Sequence, residues 1–272
     1  MSLKAETRLV VPIEKPRRNL WRRIRQRPEV ILSPLVLVVF LVIWEWVSTS
    51  GLVSPVILPA PPKVFRGILT LVKASWFPQH LWTTTIETVL GFCIAGASAF
   101  TMAVFLHQVP LLRRVIYPYV VTFQVMPMIV LAPIFVVWFG FGITSKVVVS
   151  VTTAFFVVLV NSLAGLAAVP ENSLLLMRSM VATRRQVLFK LTIPTSLPYV
   201  FAGLKTAATL ALIGSLVGEF VTAEKGLGRL LTQFSFALKQ DLVFATVIWV
   251  GVLGLALYGI VSFLEKKLVW WR

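Results

Sequence analysis

The chain is organised by uncharged stretches rather than by alternation of apolar and polar residues. Residues 30–44 carry no charge, and the apolar run continues past Glu45 to about Ser50. Between Glu87 and Arg113 only His107 can titrate, and residues 115–145, 147–170 and 242–264 are uncharged. Residues 199–221 are apolar apart from Lys205 and Glu219. A helix crossing a ~30 Å hydrocarbon core needs roughly 20 mostly apolar residues. Six transmembrane helices are therefore predicted, near 30–50, 83–107, 115–139, 145–168, 198–222 and 242–264. Backbone groups cannot go unpaired in lipid, and the run Leu35-Val-Leu-Val-Val-Phe-Leu-Val-Ile-Trp44 lacks the alternation of a barrel strand. The fold class is an all-α membrane protein.

Within the spans, Gly91, Ala95, Ala99 and Ala103 recur every four residues, as do Gly203, Ala207, Ala211 and Ser215. Such stripes let helices approach closely. Pro118, Pro127 and Pro133 should kink the third span. The first outside loop, 51–82, contains an amphipathic stretch at 64–74 with Val64, Phe65, Ile68, Leu69 and Val72 at helical spacing. A short helix lying on the membrane surface or on the bundle is expected there.

Charge fixes orientation. The 272 residues hold 26 Lys and Arg against 10 Asp and Glu, a net charge of +16, with 58% hydrophobic and only 13% charged residues. An ordinary cytosolic enzyme, a disordered chain and a disulfide scaffold are all excluded. Eighteen basic residues fall before residue 30, in the second and fourth loops and in the tail, against seven in the other loops. Both termini are therefore expected in the cytoplasm. The parts are a basic N-terminal segment 1–29, a membrane domain 30–265, a cytoplasmic loop 171–194 within it, and a tail 266–272. The basic cluster at the start reads as a topology signal that also attracts anionic lipid heads, not as a nucleic-acid site or a cleavable leader. Cys93 stands alone, so neither an intrachain disulfide nor a cysteine metal site can form.

The fourth loop is too ordered in composition for a linker. Pro170-Glu171-Asn172-Ser173 can cap a helix over 174–182. Thr183-Arg184-Arg185-Gln186 reads as a capping box opening a second short helix, 184–191, stopped at Ile193-Pro194. Such a projection suits either a partner protein or an anionic lipid surface.

From Leu174 to Leu231 the chain resembles the inner-membrane permeases of binding-protein-dependent ABC importers, in the nitrate/sulfonate/taurine-type branch. That family's loop carries Glu-Ala-Ala, three residues, Gly, nine residues, then Ile-x-Leu-Pro. Here Leu191-Thr192-Ile193-Pro194 keeps the tail in part. Val181 stands at the glycine and Leu175-Leu176-Met177 at the Glu-Ala-Ala, and a Val resists the left-handed turn that Gly takes. Residues 195–205, with Pro198-Tyr199 and Gly203-Leu204-Lys205, resemble the branch's Pro-Tyr-Ile-x-x-Gly-Leu-Arg. Gly218-Glu219 with Gly226-Leu227-Gly228, Val125-Met126-Pro127 with the segment 132–140, and Leu58-Pro59-Ala60-Pro61-Pro62-Lys63 match further pieces. The similarity covers roughly residues 30–265.

The resemblance implies a type I importer permease with cytoplasmic coupling helices between spans four and five, working by alternating access in the cell inner membrane. It implies ABC ATPase subunits, a periplasmic or lipid-anchored solute-binding protein and a second permease subunit, a copy of this chain. The chain would bind no cofactor of its own, since it lacks a Gly-x-x-x-x-Gly-Lys-Ser/Thr stretch; ATP and Mg would sit on the ATPase. Met177, Arg178, Val181, Ala182, Thr183, Arg184, Arg185, Gln186 and Pro194 are the expected ATPase contacts. Solutes implied are nitrate, sulfonates such as taurine, a thiamine-pyrimidine precursor, riboflavin or aromatic acids, with Glu87 resembling the residue of the heterocycle and aromatic-acid group.

Charged and polar groups inside spans are functional candidates. Glu87, Gln124, Met126, Asn161 and Glu219 are the pathway or gate candidates. For Glu87 the plainer reading is a carboxylate tied to loop amides or a neighbouring helix, and for Glu219 a tie to the following Gly-Leu-Gly turn. Lys205 is read as snorkelling to the cytoplasmic interface. An enzyme embedded in the membrane lacks a nucleophile–base pair or metal ligands, and no internal repeat supports a secondary transporter.

Overall fold

The computed structural model describes residues 29–222 and 224–271 and divides into two units, 1–55 and 56–272. The basic segment before Glu29 and the final Arg272 lie outside the described residues. The first unit contributes helix α1, Glu29–Thr49. At its end Ser48 Oγ and Thr49 Oγ1 donate to the Glu45 carbonyl (3.0 and 2.7 Å), and Ser50 Oγ donates to that of Val47 (3.1 Å). The Val47 carbonyl is one of the four that a helix end leaves open.

The second unit is built of helices joined by short turns, with no strand among its described residues. It contains α2 (Pro61–Lys73), α3 (Phe77–Gln108), α4 (Pro110–Val125), α5 (Met128–Phe139), α6 (Ile143–Ala167), α7 (Glu171–Ser179) and α8 (Arg184–Val187). A π turn, Leu188–Thr192, then leads into α9 (Ile193–Thr222), followed by α10 (Leu227–Phe236) and α11 (Gln240–Leu268). By length and apolar composition α3, α6, the run Arg184–Thr222 and α11 can each cross a membrane. Helices α4 and α5 make a fifth span only as a pair bent by 99°. In α1 the apolar run Pro34–Thr49 is shorter than those four.

The bend replaces the single expected span 115–139 and sits at one of its three prolines. Pro118 and Pro133 stay inside α4 and α5. Met126 is extended (φ −65°, ψ 128°) because the ring of Pro127 disfavours a helical residue before it. Two other expectations fail at proline. Pro170 makes no side-chain cap, and α7 begins at Glu171 and ends at Ser179 rather than running over 174–182. Pro194 does not stop the second short helix: the chain stays helical from Arg184 to Thr222, with the π turn Leu188–Thr192 lying immediately before the proline.

Helices α3, α6 and α9 form the core. Ala95, Ala99, Ala103, Ala207 and Ala211 are fully buried between them, with Val158, Leu159, Leu163 and Leu166 of α6 filling the seams. Both small-residue stripes thus face helices. The approach is closest at Gly91, where a Cβ would overlap the side chain of Ser150, and at Gly214, against Ser150 and Val149. Ser150 Oγ in turn donates to the Ala211 carbonyl (2.9 Å), tying α6 to α9.

A second cluster joins α2, α10 and α11 to the same end of α9 through Leu71, Leu212, Leu216, Leu227, Leu230, Phe234 and Ala245. The predicted amphipathic helix lies on the bundle: Gly67 meets the Asp241 carbonyl and Ala245 of α11, and Val64 and Leu71 are buried. Phe65, Leu69 and Val72, from the same apolar set, are exposed. Lys205 does not simply reach for the interface, because its Nζ pairs with Glu265 of α11 at 2.6 Å.

Candidate functional site

The segment 171–194 is a hairpin of two short helices rooted in α9. Helix α7 buries none of its residues. Its end is closed by Ala182 N–H donating to the Met177 carbonyl (3.0 Å) and Val181 N–H to that of Arg178 (2.9 Å). This pattern requires a left-handed residue at position 181, and Val181 takes it, with φ +52°. The expectation that Val resists this turn is therefore overturned: two hydrogen bonds hold a β-branched residue where Gly fits without strain. Leu238 closes α10 in the same way (φ +56°). Replacing Val181 by Gly should stabilise the protein by about 1 kcal/mol, read as a rise in Tm of a few degrees in detergent.

Thr183 starts α8 with the full reciprocal box: Gln186 N–H donates to Thr183 Oγ1 (3.3 Å), and Thr183 N–H to Gln186 Oε1 (2.8 Å). Arg178, Val181, Thr183, Arg184, Arg185 and Gln186 are exposed, and Met177, Ala182 and Pro194 half-buried. The nine predicted contact residues thus lie on one projecting hairpin. Its tip presents two adjacent arginines on a capped turn, a shape and charge suited to an acidic groove.

A buried polar cluster occupies the opposite end of α9. Glu87 and Glu219 are each 1% exposed. Glu219 Oε2 accepts from Gly228 N–H (2.5 Å) and Oε1 from Thr84 Oγ1 (2.6 Å). Thr84 Oγ1 accepts in its turn from Leu227 N–H (2.8 Å), and His80 Nδ1 meets both the N–H (3.0 Å) and the carbonyl (3.1 Å) of Gly226. The amides of Leu227 and Gly228 at the start of α10 are thereby satisfied by side chains of α3 and α9, with His80 against the peptide group of Gly226. A helix N-terminus leaves such donors open and favours negative charge. The Glu87 carboxyl lies within hydrogen-bonding reach of Glu219 and near Lys146. Lys146, expected in an outside loop, is buried in the first turns of α6, its Nζ donating to the carbonyls of Phe141 (3.1 Å) and Gly142 (3.3 Å). Thr88 and Ser215 bridge α3 to α9 one turn deeper (2.8 Å).

The five pathway candidates therefore separate. Glu87 and Glu219 meet in this cluster, both buried. Gln124 and Met126 are exposed at the bend between α4 and α5. Asn161 is half-buried against Gly203, with its Nδ2 donating to the Val157 carbonyl (2.8 Å). Sequence reasoning missed His80, Thr84, Thr88 and Lys146 as members of the cluster. The signal was present for α3: positions 80, 84, 87, 88 and 91 continue the face of the Ala95-Ala99-Ala103 stripe. Among the described residues no group of three or more His, Cys, Asp or Glu is placed to hold a metal ion.

Comparison with known proteins adds independent findings. The family described as binding-protein-dependent transport system inner membrane component matches residues 91–270. The formylaminopyrimidine transport permease protein of Halalkalibacterium halodurans is 34% identical over 242 residues, spanning 88% of this chain and 94% of that protein. The riboflavin transport system permease protein of Chloroflexus aurantiacus is 29% identical (88% and 89% covered). The taurine transport system permease protein of Escherichia coli is 28% identical (94% of each chain). Among solved structures, a chain of a methionine ABC transporter in an inward-facing conformation superposes with a TM-score of 0.52 at 21% identity, covering 75% of this chain and 97% of that one.

Proposed function

Because the chain belongs to the family of binding-protein-dependent transport system inner membrane components, we propose that it is the solute-conducting subunit of an ATP-driven importer, acting as a pair with a second copy of itself. Members of this family are the permease component; they are not enzymes, and ATP hydrolysis belongs to a separate subunit. In this reading α1, α3, the bent pair α4–α5, α6, the run Arg184–Thr222 and α11 are the six spans, with both termini cytoplasmic. The hairpin 171–194 then faces the cytoplasm and seats in an ATPase groove, while the Glu219 cluster lies at the outer end, where a solute-binding protein delivers its load.

The observation that carries the reading is the hairpin itself. It is exposed, rigidly capped and basic, and it continues through the π turn into a helix that reaches the other end of the bundle. Closure of two ATPase subunits would draw two such hairpins together and switch the side to which the pathway opens. The solute is a small molecule of the kind named for the relatives, with a pyrimidine-type heterocycle favoured by the 34% identity to a formylaminopyrimidine permease.

The test is co-purification in mild detergent of the tagged chain expressed with its neighbouring genes. The wild type is expected to carry an ATPase subunit, and Arg184→Glu/Arg185→Glu to lose it while remaining dimeric. A dimeric wild type with no ATPase would overturn the proposal. A secondary transporter or an embedded enzyme would then be the reading to pursue.

A further inference from the structure

Two carboxyl groups, Glu87 and Glu219, lie within hydrogen-bonding reach of one another in a site closed to solvent. A carboxylate can only accept, so such a contact needs a proton on one partner. The surrounding hydrogen bonds say which. Gly228 N–H is a donor that cannot reverse, and it occupies Glu219 Oε2. Thr84 already accepts from Leu227 N–H, so its own hydrogen is free to be donated. Its nearest acceptor is Glu219 Oε1 at 2.6 Å, against 3.3 Å to the His80 carbonyl. Both Glu219 oxygens thus receive hydrogens from fixed donors, as an ionised carboxylate requires. No such donor reaches Glu87 Oε2, which is buried without a partner of this kind.

Charge balance gives the same answer. Among the described residues Lys146 of α6 is the cation facing both carboxyls, and its Nζ is otherwise held by two backbone carbonyls. His80 Nδ1 meets the peptide group of Gly226, a contact that a neutral imidazole makes in either tautomer, while Lys225 and Arg229 face His80 rather than the carboxyl pair. One buried ammonium balances one carboxylate. A second negative charge in the same closed site would stand uncompensated, which is strongly unfavourable.

We infer that Glu87 carries a proton and donates it in a hydrogen bond to ionised Glu219, which makes Glu87 the positioning residue that aims Glu219 at the N-terminus of α10. The assignment is independent of which solute crosses, and of whether an ATPase binds the hairpin. It places Glu87 in the anchoring of the 224–228 turn rather than in contact with solute.

Infrared spectra of the purified protein at neutral pH, prepared in H2O and in D2O, test this directly for wild type, Glu87→Gln and Glu219→Gln. Exposed carboxyls are ionised there, so the wild type should show one deuterium-sensitive carbonyl stretch of a protonated carboxylic acid, and Glu87→Gln should lack it. In Glu87→Gln the new side-chain amide can donate where the acid hydroxyl did, so this variant should unfold within a degree or two of wild type, roughly the error of such a measurement. In Glu219→Gln the new amide would turn an NH2 group toward Gly228 N–H or Thr84, and the Tm should fall by on the order of 5 °C. Absence of the band in wild type, its persistence in Glu87→Gln, or a Glu87→Gln loss as large as that of Glu219→Gln would each overturn the assignment. If Glu219→Gln does not fold, the comparison of wild type with Glu87→Gln still decides.

Discussion

Replacing Gly226 by valine should all but abolish the folded protein in detergent, with a loss of about 4 kcal/mol or more. Two independent costs meet at this residue. Its backbone has φ +121° and ψ 165°, a region essentially reserved for glycine. A Cβ there would also overlap the carboxyl group of Glu219. That carboxyl cannot retreat without releasing Gly228 N–H and Thr84, leaving a buried charge with its donors broken. Gly142→Ala provides the contrast, since that residue has ordinary backbone and nothing within 4 Å of a Cβ. Thermal unfolding followed by tryptophan fluorescence should show a Gly226→Val Tm lower by roughly 10 °C, or no monodisperse protein, and a Gly142→Ala Tm unchanged. A tolerated Gly226→Val would mean that the turn is not held by Glu219 as described.

Gly214→Val is expected to cost about 3 kcal/mol by forcing α6 and α9 apart. A Cβ at 214 would lie 2.8 Å from Ser150 Cα and 3.0 Å from the Val149 carbonyl, so the atoms it strikes are backbone and cannot rotate away. Thr153 Oγ1 closes the third side at 2.7 Å. Separation at this level would also break the Ser150–Ala211 hydrogen bond, the tie between the two helices. In a membrane, where apolar attraction between helices is absent, such close approach is a main source of stability. Gly251→Val on α11 meets nothing within 4 Å and should behave as wild type. Equal Tm values for the two variants would show that α6 and α9 do not pack through their small residues.

What the sequence made legible was whatever local chemistry determines. Gaps between charges located the long helices, because lipid excludes charge. The Thr183–Gln186 box was readable because both partners sit three residues apart, and the alanine stripes because one helical face repeats every four residues. The tie of Glu219 to the following turn belongs here too, since Gly226 and Gly228 are close in the chain. The pairing of Glu87 with Glu219 and Lys146, and of Lys205 with Glu265, depends on how helices distant in sequence are placed, which no spacing encodes. Three prolines look alike in the third span, yet only Pro127 breaks it. Pro118 and Pro133 are absorbed within helices, an outcome set by neighbours rather than by the residue. Val181 shows the converse: its own preference opposes the left-handed turn, and the two hydrogen bonds closing α7 prevail.

The π turn at Leu188–Thr192 has a consequence for angle. Ile193 N–H bonds to the Leu188 carbonyl, five residues back, so the helix holds one residue more than α geometry allows. At 3.6 residues per turn, one surplus residue rotates everything before it by roughly 100° about the axis. Along a rod of 39 residues from Arg184 to Thr222, that surplus sets the azimuth at which the arginine pair points relative to Glu219. Deleting one residue from 188–192 would leave charge and composition almost untouched and swing the pair through more than a quarter circle.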